Sequence, residues 1–233
     1  MSLARSLAPD QPVYGLSTGP LEAAVIAEPS IEMLTAAYVR EVRLLQPKGP
    51  YQVCGYSFGG TAAFDLAQAL KMEGEDVSLI LLDSVISQGV SRLRPLFTRA
   101  ELAQKRGIRK VVGLLKRSRR EWLKLPQLIL ARDIPDWVPM GKRDVALALA
   151  KAKSKYRYRP FDGKALLVEC AIPDANYTVL NRDGMLGWSG LLTGPIVQIR
   201  AETSHPGLMR DPYAKRLAIE IESFLERVSS TPS

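Results

Sequence analysis

One hydroxyl, one imidazole and a few carboxylates are the groups in this chain that could do covalent chemistry. Ser57 lies in Gly55-Tyr56-Ser57-Phe58-Gly59-Gly60, with a glycine two residues away on each side. Between a strand and a helix such a run forms a sharp turn with the serine at its apex. The glycines are expected because a side chain at either flanking position would collide with neighbouring backbone, and the hydroxyl is left exposed at the carboxyl edge of a sheet. A serine hydroxyl attacks a carbonyl at neutral pH only when a base is placed to take its proton. The chain has a single histidine, His205, in Thr203-Ser204-His205-Pro206, so the base is named without selection. A carboxylate must then hold the imidazole in one tautomer and stabilise the imidazolium. Asp83, directly after the apolar run 77–82, is the preferred acid; Asp174 (or Glu169), associated with the run 164–169, is the alternative.

The elements around these residues alternate in type. Pro12-Val13-Tyr14-Gly15-Leu16 has the composition of a short buried strand. Ser30 is a helix N-cap with Glu32 near the positive end, and Ile31, Leu34, Tyr38, Val42 and Leu45 recur at helical spacing as far as about 46. Residues 51–56 form a strand leading into Ser57, a helix follows over 60–72, and 77–82 is a continuous apolar strand. The rhythm resumes with strands at 164–169 and 196–200, the second of which precedes His205, and ends with a helix over 212–228. Uninterrupted apolar strands alternating with helices predict a mostly parallel sheet covered on both faces, an α/β fold in one domain over 1–233. Residues 88–160 interrupt the pattern and are read as a helical lid insertion within that domain.

Composition narrows the function classes. With 46% hydrophobic and 24% charged residues the chain is ordinary globular protein. Cys54 and Cys170 are not in a C-x-x-C pair and sit among apolar neighbours, so both are expected to be buried, and neither a disulfide framework nor a zinc site is expected. No apolar run is long enough to span a bilayer and no leader is recognised, which predicts a cytoplasmic protein without a membrane span. The formal charge of +8 is local: residues 92–120 carry eleven basic residues and one acid. No nucleic-acid motif or aromatic platform accompanies that run, so nucleic acid is not the expected partner.

The motif Gly49-Pro50-Tyr51 leading into Gly55-Tyr56-Ser57-Phe58-Gly59-Gly60, then Ala63-Phe64 and Leu81-Leu82-Asp83-Ser84, resembles a type I thioesterase domain of nonribosomal peptide and polyketide synthetases. Leu186-Gly187-Trp188 and His205 followed by Leu208-Met209-Arg210-Asp211-Pro212 extend the resemblance over nearly the whole chain except the lid. It implies an α/β-hydrolase fold and a Ser57–His205–Asp83 triad, since in the family the aspartate follows the strand after the nucleophile. It also implies a substrate held as a thioester on the phosphopantetheine of an acyl or peptidyl carrier protein, with no metal and no cofactor of the enzyme's own. The backbone N–H of Phe58 is the expected oxyanion donor. The second donor comes from an earlier strand-to-helix loop that nothing before Pro12 can supply, so on this reading the chain starts one strand and one loop late. Because carrier domains in these systems are acidic, Arg117, Arg119 and Arg120 are candidates for carrier docking. The competing expectations are a carboxylesterase or lipase on the same fold, and a truncated, non-catalytic carrier-binding module.

Overall fold

In a computed structural model of the chain, the structure describes residues 2–86, 139–172 and 184–230. The first helix, α1 (Ser2–Ser6), is followed by α2 (Glu22–Ala27) and α3 (Ile31–Leu45). Next come β1 (Tyr51–Tyr56), α4 (Gly59–Met72) and β2 (Val77–Leu82). After α5 (Arg143–Lys155) the chain forms β3 (Lys164–Ile172), β4 (Ile196–Ser204), α6 (His205–Leu208) and α7 (Tyr213–Ser229). The strands make one sheet in the order β1-β2-β3-β4, parallel throughout, with Tyr56 opposite Leu82 and Leu82 opposite Val168. Because all strands run the same way, their carboxyl ends lie along a single edge. This is an α/β-hydrolase-like arrangement.

Two compact units result. The first takes the chain up to Leu21, Ser30–Ile86, and the chain from Tyr156 onward. The second takes Glu22–Pro29 and the segment ending at Lys155; within it α2 packs on α5 and Lys142 pairs with Glu22.

The core of the first unit follows from strand alternation. On one face Ile80, Leu82, Leu166 and Val168 pack with Leu217, Ile221 and Phe224 of α7 and with Leu3 of α1. On the other, Leu81 faces α4, whose residues from Gly60 to Leu70 are almost all buried. Burial on both faces explains why β2 is apolar at nearly every position. The Ser30 hydroxyl accepts from the Met33 N–H at 3.2 Å, the cap expected from its position. The return from the second unit is clipped to α4 by three polar contacts. Tyr156 donates to Asp65 at 2.6 Å, the Thr61 and Tyr158 hydroxyls meet at 2.8 Å, and the Gln68 amide donates to the Arg159 carbonyl at 2.7 Å.

Two expectations are corrected here. Pro12–Leu16 contains no strand, and Val13, Tyr14 and Leu16 are exposed, Tyr14 to 67%. A strand needs a partner for its N–H and C=O groups, and no described strand pairs with this segment. Cys170 is buried but Cys54 is exposed. Cys54 shares a face of β1 with Gln52, at the end of the strand order, whereas α7 packs over β2, β3 and β4. The lid residues before 139, including the basic run, and Asp174 lie outside the described residues.

Candidate active site

Each of three strands ends in one of the expected residues. Ser57 directly follows β1, Asp83 follows β2 and His205 follows β4. Both β3 and β4 are longer than the sequence pattern predicts, so β4 delivers His205 with no intervening loop.

At Ser57 the backbone turns into the left-handed region, with φ 56°. A non-glycine residue there is strained, and it is held by its surroundings. The Ser57 N–H donates to the Leu82 carbonyl at 2.9 Å, and α4 begins at once, with the Gly60 N–H donating to the Ser57 carbonyl at 3.2 Å. The glycines divide differently from the expectation. A Cβ on Gly55 would lie 2.4 Å from the Gly59 carbonyl oxygen, so this turn excludes a side chain there. A Cβ on Gly59 would meet nothing within 4 Å. The crowded partner is Gly60, whose Cβ would lie 2.1 Å from the Ser84 hydroxyl. The second flanking glycine is therefore not the one that permits the close packing.

Asp83 repeats the backbone device, with φ 45° and its N–H donating to the Val168 carbonyl at 2.7 Å. Its side chain is nearly buried and both oxygens are engaged. Oδ1 accepts from the Cys170 N–H at 3.0 Å, and Oδ2 lies 2.6 Å from Nδ1 of His205. Burial works to raise the Asp83 carboxyl, but the hydrogen bonds from His205 and from the Cys170 backbone outweigh it and hold the group below the usual carboxylate value. Burial, with the Asp83 charge beside it, pushes the Cys170 thiol up and keeps it protonated. The following residue is fixed as well: the Trp188 indole N–H donates to the Ser84 carbonyl at 2.6 Å.

His205 is gripped on a further side. The Tyr56 ring stacks on the imidazole, with centroids 4.5 Å apart and planes 18° from parallel, and the Tyr56 hydroxyl donates to the His205 carbonyl at 2.8 Å. Neither Tyr56 nor Trp188 is marked by sequence reasoning as part of the site. Tyr56 fills a variable position of the glycine–serine motif, and its only signal is that it immediately precedes Ser57. Phe58 stands at the N-terminus of α4, a fourteen-residue helix whose positive end lies next to Ser57. Among the described residues no group of three His, Cys, Asp or Glu could hold a metal ion, and no helix is long and apolar enough to cross a membrane. A cavity of about 440 Å³ lies at the other end of α4, against Lys71, Met72 and the segment 159–162.

A family model for the thioesterase domain matches residues 2–169. The chain belongs to the thioesterase domain family. This domain is 37% identical over 91 residues to malpibaldin synthetase of Mortierella alpina, covering 39% of this chain and 2% of that protein. It is 44% identical over 92 residues to the conidial pigment polyketide synthase alb1 of Aspergillus fumigatus, covering 39% of this chain and 4% of that protein. The domain thus spans only a few per cent of the length of these relatives. In fold it is similar to part of holo-AB3403, a four-domain nonribosomal peptide synthetase, with a TM-score of 0.65 and 22% identity over 100% of this chain and 18% of that one. The NocB thioesterase domain aligns with a TM-score of 0.56 and 21% identity, covering 84% of this thioesterase domain and 75% of that chain.

Proposed function

We propose that this thioesterase domain releases acyl or peptidyl chains from the phosphopantetheine thioester of a carrier protein, by way of an acyl-enzyme on Ser57. The observation that supports this reading most strongly is the 2.6 Å contact between Asp83 Oδ2 and His205 Nδ1 at the sheet edge that also carries the strained Ser57. With Asp83 ionised, the proton of the neutral imidazole sits on Nδ1 and the lone pair of Nε2 is the available base. Ser57 Oγ attacks the thioester carbonyl as Nε2 takes its proton, and the N–H of Phe58 donates to the oxyanion. Collapse of the tetrahedral intermediate breaks the C–S bond, and the imidazolium returns its proton to the leaving thiolate. Water, or a nucleophile within the chain being released, then loses a proton to His205 and attacks the acyl-enzyme, which frees Ser57. The residues carry these steps without a metal or cofactor.

In this reading the basic run at 92–120 recruits the acidic carrier, with Arg117, Arg119 and Arg120 as its docking residues. Labelling with a fluorophosphonate, followed by mapping of the modified peptide, tests the nucleophile. Modification of Ser57 that S57A abolishes is expected, and a folded protein that takes up no label overturns the catalytic reading. Parallel turnover of an acyl-pantetheine thioester and the matching oxygen ester tests the substrate class. A clear preference for the oxygen ester would make this an esterase.

A further inference from the structure

We infer that Tyr56 is a positioning residue for the base, holding the His205 imidazole by its face and its backbone and favouring the protonated ring. The inference rests on the reading of His205 as the base. Three contacts restrain that residue from different directions. Asp83 Oδ2 holds Nδ1 at 2.6 Å, the Tyr56 hydroxyl holds the backbone carbonyl at 2.8 Å, and the Tyr56 ring covers one imidazole face at 4.5 Å. Tilting the ring about its last side-chain torsion would open the stack, and a half-turn would take Nδ1 off Asp83, so the two contacts together fix the plane and the direction of the ring. The electron-rich face of an aromatic ring attracts a cation more than a neutral ring. The contact therefore tightens when the imidazole accepts the proton of Ser57, which is the point in the cycle where stabilisation raises kcat.

The position of Tyr56 makes this economical. It is the last residue of β1 and adjoins Ser57, so a single strand end delivers the proposed nucleophile and the support for its base. Among the described residues, ionisable groups reach this region from the strand ends. Asp83 comes from the end of β2, and Cys170 and Glu169 stand beside it on β3. On β4 Arg200 is opposite Glu169 in register, with Glu202 two residues further along. From β1 comes Tyr56, with Cys54 two residues earlier on the same face of the strand.

His205 is the only histidine in the chain, so its imidazole resonances can be followed through a pH titration without ambiguity. In Y56L the midpoint of that titration is expected to move to lower pH by about 0.5–1 unit, with kcat lower by roughly 3–30-fold and KM unchanged. The acidic limb of the kcat/KM profile is expected to move with it. Y56F keeps the ring and is expected to keep both the midpoint and the limb. Y56F carrying a progressively fluorinated ring, which drains the ring face while preserving its shape, is expected to lower the midpoint stepwise; this series decides the matter if Y56L does not fold. A midpoint that is the same in wild type, Y56L and the fluorinated series overturns the inference. So does a Y56F that shifts as far as Y56L, because the hydroxyl would then be responsible. The titration needs no turnover, so absence of fluorophosphonate labelling would count against the enzyme reading and leave this test intact.

Discussion

Replacing Asp83 by asparagine changes one atom in the site, and the structure allows its effect to be worked out. Both carboxylate oxygens accept hydrogen bonds, Oδ1 from the Cys170 N–H at 3.0 Å and Oδ2 from His205 Nδ1 at 2.6 Å. An amide has one acceptor to offer. If its oxygen stays on Cys170, the NH₂ points at Nδ1, the imidazole proton moves to Nε2, and no lone pair faces the serine. If the amide flips, its NH₂ opposes the Cys170 N–H in a buried setting, at a cost of about 1–3 kcal/mol. That makes the competent rotamer roughly 5–150-fold rarer. Even this minority lacks the negative charge that stabilises the imidazolium. Together these effects place the loss in kcat near 10³–10⁴-fold, with KM little changed. The assay is thiol release from a short acyl-pantetheine thioester at pH 8, with thermal melting as a check that D83N is folded. A folded D83N within tenfold of the wild-type rate would refute the reasoning. If D174N instead fell a thousandfold, the acid would be Asp174.

Three further outcomes are expected. Because the carboxyl of Asp83 is held below its ordinary value, its contribution to stability is complete above the unfolded-state value near 3.9 and is lost as pH falls through the lower folded value. Urea melts over about pH 5 to 2 should therefore fall off more steeply for the wild type than for D83N. G60A places a methyl against Ser84 and is expected to lose about 2 kcal/mol or more in thermal unfolding, whereas G59A, with open space, should be neutral or slightly stabilising. Reversing the charge of Arg117, Arg119 and Arg120 together should lower kcat/KM for a carrier-bound acyl chain about tenfold at low salt, while changing turnover of the free pantetheine thioester less than twofold; equal losses on both substrates would argue against docking.

What the sequence made legible was local. The alternation of β1, α4 and β2, the Ser30 cap and the lone histidine each depend on residues close together in the chain, where periodicity and capping chemistry act. The errors share a different cause. Pro12–Leu16 has the pattern of a strand, but pattern cannot supply a pairing partner. Cys54 has the setting of a core residue, yet its burial depends on what covers that face of β1, which the strand's own sequence does not state. The crowding at Gly60 rather than Gly59 arises from Ser84, twenty-four residues later, which no five-residue motif can encode. Tyr56 was invisible for the same reason, because its partner is 149 residues away.

The site is set by the sheet to a degree that these errors help to show. Ser57 and Asp83 leave neighbouring parallel strands in the same way. Each donates its N–H to a carbonyl of the next strand, Leu82 at 2.9 Å and Val168 at 2.7 Å, and each then turns with positive φ. Such a conformation costs of order 1–3 kcal/mol at a non-glycine residue, and it persists only where the surroundings over-determine it. Here the ladder bond fixes one side of each turn. On the far side, Gly60 packed under Ser84 ties the α4 turn to the β2 turn, and Trp188 bound to the Ser84 carbonyl closes the arrangement. The two strained turns are therefore coupled through Ser84. Loosening one should disturb the other, so G60A, far from the imidazole in sequence, is expected to impair the pairing of Asp83 with His205 as well as the exposure of Ser57. A G60A/S84G double variant removes the atoms that clash and should restore stability. It should not restore full turnover, because the coupling that aligned the two strand ends is lost with them.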